Sequence, residues 1–154
     1  MNIFVLDLNP TKCAEYHVNT HVSKMCVEYS QLLCGVHWIL GGEAPYKLTH
    51  RNHPSAIWVR ECEENYIWLC ELGLELCEEF THRYGKRHKS QNVIEWCLNN
   101  VPNLPKKGGL TSFALAMPDE CKIGDAVESY RTYYMTEKRK LAIWKNREIP
   151  QWFN

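Results

Sequence analysis

Apolar and polar positions alternate with a helical period along most of the chain. Val18, Val22, Met25, Tyr29, Leu32 and Val36 recur every three or four residues, the spacing that places side chains on one helical face. Alongside them His17, His21, Lys24, Glu28 and Gln31 follow one another by four, three, four and three, so they stack in a single polar stripe. This pattern predicts a helix from about residue 10, opened by Asn9-Pro10, interrupted near Asn19-Thr20 and running to about 39, where Gly41-Gly42 stops it. Ahead of it the β-branched and aromatic run NIFVL, residues 2–6, predicts a short strand closed by Asp7.

The stretch EAPYKLTHRN reads as loop, and His53-Pro54 opens the longest periodic segment. Trp58, Cys62, Tyr66, Leu69, Gly73, Leu76 and Phe80 form one apolar face there, widened by Ile57, Cys70, Leu74 and Cys77, as a central core helix requires. Gly85 is its breaker. A shorter helix over 91–99 leads into the loop NNVPNLPKKGGLT, and FALAMPDECKIGD fits neither period. A last helix over 125–145 carries Val127, Tyr130, Tyr134, Leu141 and Trp144 in register, and the tail NREIPQWFN is expected to dock Trp152 and Phe153 on the body. With 154 residues, the prediction is one compact, mostly α domain spanning 1–154: a helical bundle with a short N-terminal strand.

Charge narrows the function classes. Eighteen basic and eighteen acidic residues cancel, so no global field draws the chain to nucleic acid or to a membrane surface, and any such attraction is local. It is strongly segregated: residues 61–80 hold seven glutamates and no Lys or Arg, whereas 81–89 hold four Lys or Arg and two His. Six Trp and eight Tyr serve either as core filling or as stacking platforms for bases. The eight cysteines include no CxxC pair, which removes the usual signature of a structural zinc site. No secretory leader or membrane-length apolar run is visible. Free buried thiols in a reduced, cytoplasmic setting are therefore expected, with no metal, no cofactor and no membrane partner.

Three segments carry candidate chemistry. The polar stripe is the first. Lys24 and Glu28, at i and i+4, also make an ordinary surface pair, in the weaker orientation, but two histidines four apart beside a lysine supply groups suited to proton transfer near neutral pH. Spacing leaves a cleft wall and a solvated face equally open. In the second, HRNHPSAIWVR, Asn52 and His53 precede free helix-start amides, with Arg51, Trp58 and Arg60 close by. That arrangement suits an anion, and equally an ordinary cap. The third is HRYGKRHK with SYRTYYMTEKRK and WKNR. Basic residues interleaved with Tyr and Trp suit a phosphate backbone with stacked bases.

Taken together, MNIFVLD with the following H…H…K…E…QL series, NHPSAIW opening a long helical segment, and YIWLCELGLELCEEFTHRYG resemble the pyrimidine-dimer DNA glycosylase (endonuclease V) superfamily, in its phage and bacterial branch. The resemblance covers roughly the first 85 residues; Lys24, Glu28, Gln31-Leu32, Asn52, His53, Pro54 and Trp58 match the branch's motifs. It implies a compact helical enzyme that grips double-stranded DNA, extrudes a nucleotide and attacks its glycosidic bond. On this reading His17, His21, Lys24 and Glu28 are catalytic, and Asn52, His53, Trp58, Arg60 and Tyr84 hold the extruded nucleotide. Arg51, Arg83, Lys86, Arg87, His88, Lys89, Tyr130, Arg131, Tyr134 and Lys138 grip the DNA. The family prototype uses the amine of a small N-terminal residue together with a helical glutamate. Here Asn2 is too large for efficient removal of Met1, which leaves the free amine on Met1. At the first-aligned position of that glutamate stands Lys24 or Ser23, so Lys24 is an alternative amine. Two other readings use the same residues: a non-catalytic nucleotide-binding protein, and a transferase acting on modified phage DNA.

Overall fold

The computed structural model describes all 154 residues and is helical throughout. Helices α1 (Pro10–Tyr16), α2 (Asn19–Ile39), α3 (Pro54–Val59), α4 (Glu63–Tyr84), α5 (Gln91–Asn99) and α6 (Ala126–Met135) are joined by loops with two short 3-10 turns. No helix is long and apolar enough to cross a membrane. Helices α2 and α4 are the long central pair; α1 and α5 lie against α4, and α3 against α2. The predicted apolar faces meet between them: Val22, Met25, Tyr29, Leu32 and Val36 of α2 are buried, as are Tyr66, Leu69, Leu76 and Phe80 of α4. All eight cysteines are buried and free.

Helix starts follow the sequence signals. The Asn9 side chain accepts the Lys12 amide, with Pro10 at the first helical position. His53 does the same for Ser55 ahead of Pro54. Past the end of α4, Gly85 adopts φ 71° and its amide returns to the Thr81 carbonyl at 2.8 Å, a left-handed closure that suits glycine.

Four expectations need correction. Residues 2–6 form no strand. Ile3, Phe4, Val5 and Leu6 are buried but belong to no ladder; the Phe4 amide donates to the Tyr29 hydroxyl at 3.1 Å, and the chain bends at Leu6, whose amide donates to the Phe4 carbonyl. The first break falls at His17–Val18, two residues before Asn19, which instead begins α2. The segment after His53 is two helices. The chain turns at Arg60–Cys62, where Asn65 Nδ2 donates to the Trp58 carbonyl at 2.9 Å and the Glu63 amide to the Pro105 carbonyl at 2.8 Å. Lastly, α6 ends at Met135, ten residues early. Lys138 and Arg139 amides fold back on Tyr133 and Thr136 there, and a 3-10 turn over Arg139–Leu141 follows. The tail docks as expected, with the Trp152 ring 5.6 Å from Tyr16 and Phe153 5.0 Å from Trp144.

Candidate functional site

The break between α1 and α2 divides the polar stripe. His17 falls in the break and turns inward, fully buried. Its Nδ1 lies 2.7 Å from the Cys13 carbonyl, which only accepts, so the ring proton sits there; Nε2, 2.8 Å from the Tyr29 hydroxyl, accepts. Burial lowers its pKa to about 4. His17 is thus a neutral core bracket that ties α1, α2 and, through Tyr29, the N-terminal segment. It has no nitrogen left for catalysis.

His21, Lys24 and Glu28 face a cleft of about 210 Å³. Its other walls come from Met1, Asn2 and Phe4 of the N-terminal segment, His53 ahead of α3, Ala116 in the long loop, and Tyr133 and Lys138 at the end of α6. The volume is below the ~300–1,000 Å³ of pockets for drug-sized ligands, so only a small group fits within it. A larger concavity of about 490 Å³ lies between α1 and the C-terminal tail. Its Arg147 is already paired with Glu79 at 2.8 Å and Glu15 at 3.8 Å, so the smaller cleft holds the uncommitted chemistry.

Glu28 is the centre of that cleft. Its Oε1 stands 3.2 Å from the Met1 α-amine and its Oε2 3.7 Å from Lys24 Nζ. The second contact is within ion-pair reach but too long for a hydrogen bond, and Oε2 is buried without a hydrogen-bond partner. Two amines therefore flank one carboxylate that keeps a free acceptor oxygen. They differ in setting: the Lys24 side chain is 67% exposed, whereas that of Met1 is 1% exposed although the residue as a whole is half-buried. What Met1 shows to solvent is its main chain. Asn2 fixes that end, because its Oδ1 accepts the Ile3 amide and the Tyr130 hydroxyl, both at 2.8 Å, while its Nδ2 donates to the Ala116 carbonyl at 2.8 Å.

The remaining candidates sort by burial and pairing. Trp58 is a core residue, 1% exposed, stacked on Phe113 at 4.9 Å and donating to the Thr111 carbonyl; it does not reach the cleft. Asn52 and Arg51 are exposed outside it, and Arg60 Nη1 is bound to the Arg51 carbonyl at 2.8 Å. Tyr84 packs against Phe80 with Lys145 over its ring. Of that segment only His53 lines the cleft.

Arg83 cannot grip DNA. It is 2% exposed and donates to Glu79 Oε2 (2.7 Å), the carbonyls of His17 (2.7 Å) and Glu15 (2.9 Å), and Asn19 Oδ1 (3.0 Å). Tyr130 and Tyr134 are buried with bonded hydroxyls. Arg131 is committed to Asp7 and the Leu6 carbonyl between the Tyr16 and Trp152 rings. Arg87 is tied to Asn92 and Glu95. His88 meets the Ser23 carbonyl at 3.2 Å, which places the basic turn against the side of α2, at a second concavity of about 340 Å³ floored by Val27, Tyr46 and Phe80. Lys86 and Lys89 are exposed there and take part in no ion pair. Lys138 stands at the cleft itself, 5.3 Å from the Tyr133 ring.

Several cleft residues escape a reading of the sequence. Met1, Asn2, Phe4, Ala116 and Tyr133 arrive from segments more than a hundred residues apart. The one available signal is Asn2, a polar residue heading a wholly apolar run. No group of acidic, His or Cys side chains is placed to hold a metal ion. Comparison with known protein families, curated proteins and solved structures finds no match to this chain.

Proposed function

We propose that the protein is a DNA-acting enzyme of glycosylase type, which draws one nucleotide out of the stack into the Glu28 cleft and attacks its C1′ with an amine. The observation that carries this reading is the contact of an α-amine with a carboxylate, Met1 to Glu28 at 3.2 Å, in a cleft that admits a small group. As a class, α-amines shed their proton more readily than lysine ammonium groups, and the Met1 amine is held in place where Lys24 Nζ extends into solvent. Attack forms the bond from nitrogen to C1′ and breaks the glycosidic bond; the base leaves with the electron pair and takes up a proton. Opening of the C1′–O4′ bond then gives the imine and a C4′ hydroxyl. Glu28 supports the cationic sugar, and its Oε1, 3.2 Å from the amine, accepts the amine's proton. Lys24 and Lys138 offer charge to the flanking phosphates.

Borohydride trapping on labelled duplex DNA, undamaged, ultraviolet-irradiated and phage-modified, tests the assignment. The adduct is expected with wild type and with Lys24→Ala, to fall about 100-fold with Glu28→Gln, and to vanish when the α-amine is acetylated. An adduct lost in Lys24→Ala would move the nucleophile to that lysine. Base release without any adduct would leave a glycosylase that uses water. Neither release nor adduct would end the glycosylase reading.

Lys86 and Lys89 extend the grip. Binding of duplex DNA should weaken with salt, and removing both lysines should flatten the log–log slope by about 1.8, since each neutralised phosphate accounts for ~0.9. An unchanged slope removes them from the interface.

A second reading, a non-catalytic nucleotide-binding protein, is favoured by the zero net charge and by the commitment of Arg83, Arg87 and Arg131 to internal partners. Thermal stabilisation by mononucleotides with none by DNA would establish it instead.

A further inference from the structure

Two imidazoles reach the cleft, and the hydrogen bonds behind each decide which ring nitrogen carries the proton. The Tyr134 hydroxyl, 1% exposed with its ring, accepts the Val18 amide at 3.3 Å and lies 2.7 Å from His21 Nδ1. Its own proton has no other acceptor, so it goes to Nδ1 and the proton of His21 resides on Nε2. Nε2 has no protein partner and is not sealed from solvent, and His21 lines the cleft. The Phe4 ring, stacked at 4.2 Å and 15°, fixes the plane of the imidazole. His53 reaches the same state by another route: its Nδ1 accepts the Ser55 amide at 3.0 Å, which leaves the proton on its Nε2.

Neither ring is a proton carrier at neutral pH. Burial comes first, followed by the unfavourable cost of a second charged imidazole beside His17 and by the positive charges of Lys138 and Lys24, and together they bring His21 down to about 3. Burial, then the terminal amine and His50, also lowers His53, against a smaller opposing pull from Glu28. Each ring therefore presents a permanent N–H donor and no acceptor.

We propose that His21, locked by Tyr134, and His53, locked by the Ser55 amide, form a pair of neutral N–H donors that selects a keto-bearing pyrimidine, of uracil or thymine type, over an amino-bearing one. The proposal rests on the reading that the cleft holds a nucleotide, and it holds whether or not the glycosidic bond is then cut. Exocyclic keto oxygens accept from both donors. The amino group of cytosine would set N–H against N–H and leave buried donors unpaired, the kind of mismatch that gives strong rejection. Position argues for a base rather than a phosphate at these donors. His21 is 5% exposed at the floor beneath Phe4, whereas the cations that suit a phosphate, Lys24 and Lys138, are exposed and half-buried respectively. Tyr134 is a positioning residue here, since it touches the ligand only through His21.

The test pairs a spectroscopic readout with binding. Long-range proton–nitrogen spectra at pH 7 should show the Nε2–H tautomer at both histidines, and Tyr134→Phe should abolish the fixed pattern at His21 alone. Thermal-shift titrations with dUMP, dTMP, dCMP and inorganic phosphate should give dUMP and dTMP affinities at least ~10-fold above dCMP, with the gap narrowing in Tyr134→Phe. If that variant does not fold, His53→Ala, at a half-exposed helix cap, removes one donor and should narrow the gap similarly. An Nδ1–H tautomer at His21, equal affinity for dTMP and dCMP, no shift with any nucleotide, or inorganic phosphate matching dTMP would each overturn the proposal. Base release from amino and keto substrates alike would overturn it and leave the glycosylase reading standing. A keto preference with neither released base nor trapped adduct would do the reverse.

Discussion

Glu79→Gln is expected to cost about 3–5 kcal/mol of folding free energy at neutral pH, the range for stripping one partner from a buried ion pair. Glu79 is 4% exposed and binds Arg83 Nε at 2.7 Å and the Arg147 guanidinium at 2.8 and 3.0 Å. Through Arg83 it holds the last turn of α4 to the carbonyls of Glu15 and His17, where α1 ends and α2 has yet to begin. A glutamine keeps the shape and leaves the enclosed Arg83 charge uncompensated. Urea unfolding at pH 7 measures the loss, and a value under about 1 kcal/mol would show that the cluster does not stabilise the fold. The pH dependence has a definite sign. Burial alone would raise the Glu79 pKa, but hydrogen bonds from Arg147 and Arg83 outweigh it and hold the carboxyl below its usual value. A carboxylate depressed in the folded state stabilises above the unfolded pKa and loses that contribution as pH falls through the folded one. The gap between wild type and variant should therefore be widest at neutral pH and close below the ordinary carboxylate range.

Trp58→Ala should be equally costly, about 3–5 kcal/mol, and should leave the cleft alone. The indole is enclosed by Phe113 and by Trp68, 6.0 Å away edge-on, and its Nε1 donates to the Thr111 carbonyl at 3.2 Å. Truncation opens a void where the α3–α4 turn meets the long loop. It also frees the Thr111 carbonyl, while Asn65 still holds the Thr111 amide at 3.1 Å. The resemblance groups Trp58 with Asn52 and His53 among the residues expected to hold a nucleotide. The fold turns it away from them, so nucleotide affinity measured where the variant remains folded should match wild type. A ten-fold loss of affinity in a folded Trp58→Ala protein would show that the indole acts on the cleft after all.

These two residues also show what the sequence made legible. Periodicity located every long helix, because a core-facing stripe must repeat at 3.6 residues whatever lies opposite it. Interruptions were harder to see. Trp58, Cys62 and Tyr66 keep a four-residue spacing across the turn between α3 and α4, since both helices bury the same side of the chain into one core. Residues 2–6 have strand-like composition because they are enclosed all round, a condition that strand-like side chains satisfy without any ladder. His17 and His21 look equivalent at four-residue spacing, and only a break placed by tertiary packing sends one into the core and the other into a cleft. Arg83 and Glu79 appear in sequence as parts of a basic run and an acidic helix face; their burial depends on the α1–α2 corner, which no local pattern encodes. Of the cleft, the α2 wall and His53 were readable, whereas Met1, Asn2, Phe4, Ala116 and Tyr133 were not, because convergence of distant segments leaves no local periodicity.

The enclosure of the first residues by some of the last has a consequence in time. Asn2 is held by Tyr130 and Ala116, and Lys138 completes the wall that Glu28 begins. At a synthesis rate of ~5–20 residues per second, Lys138 is added roughly 5–20 s after Glu28. For that interval residues 1–6 have their glutamate but no Tyr130 to pin them. The Met1–Glu28 contact thus gains its full enclosure only after Lys138 has been added.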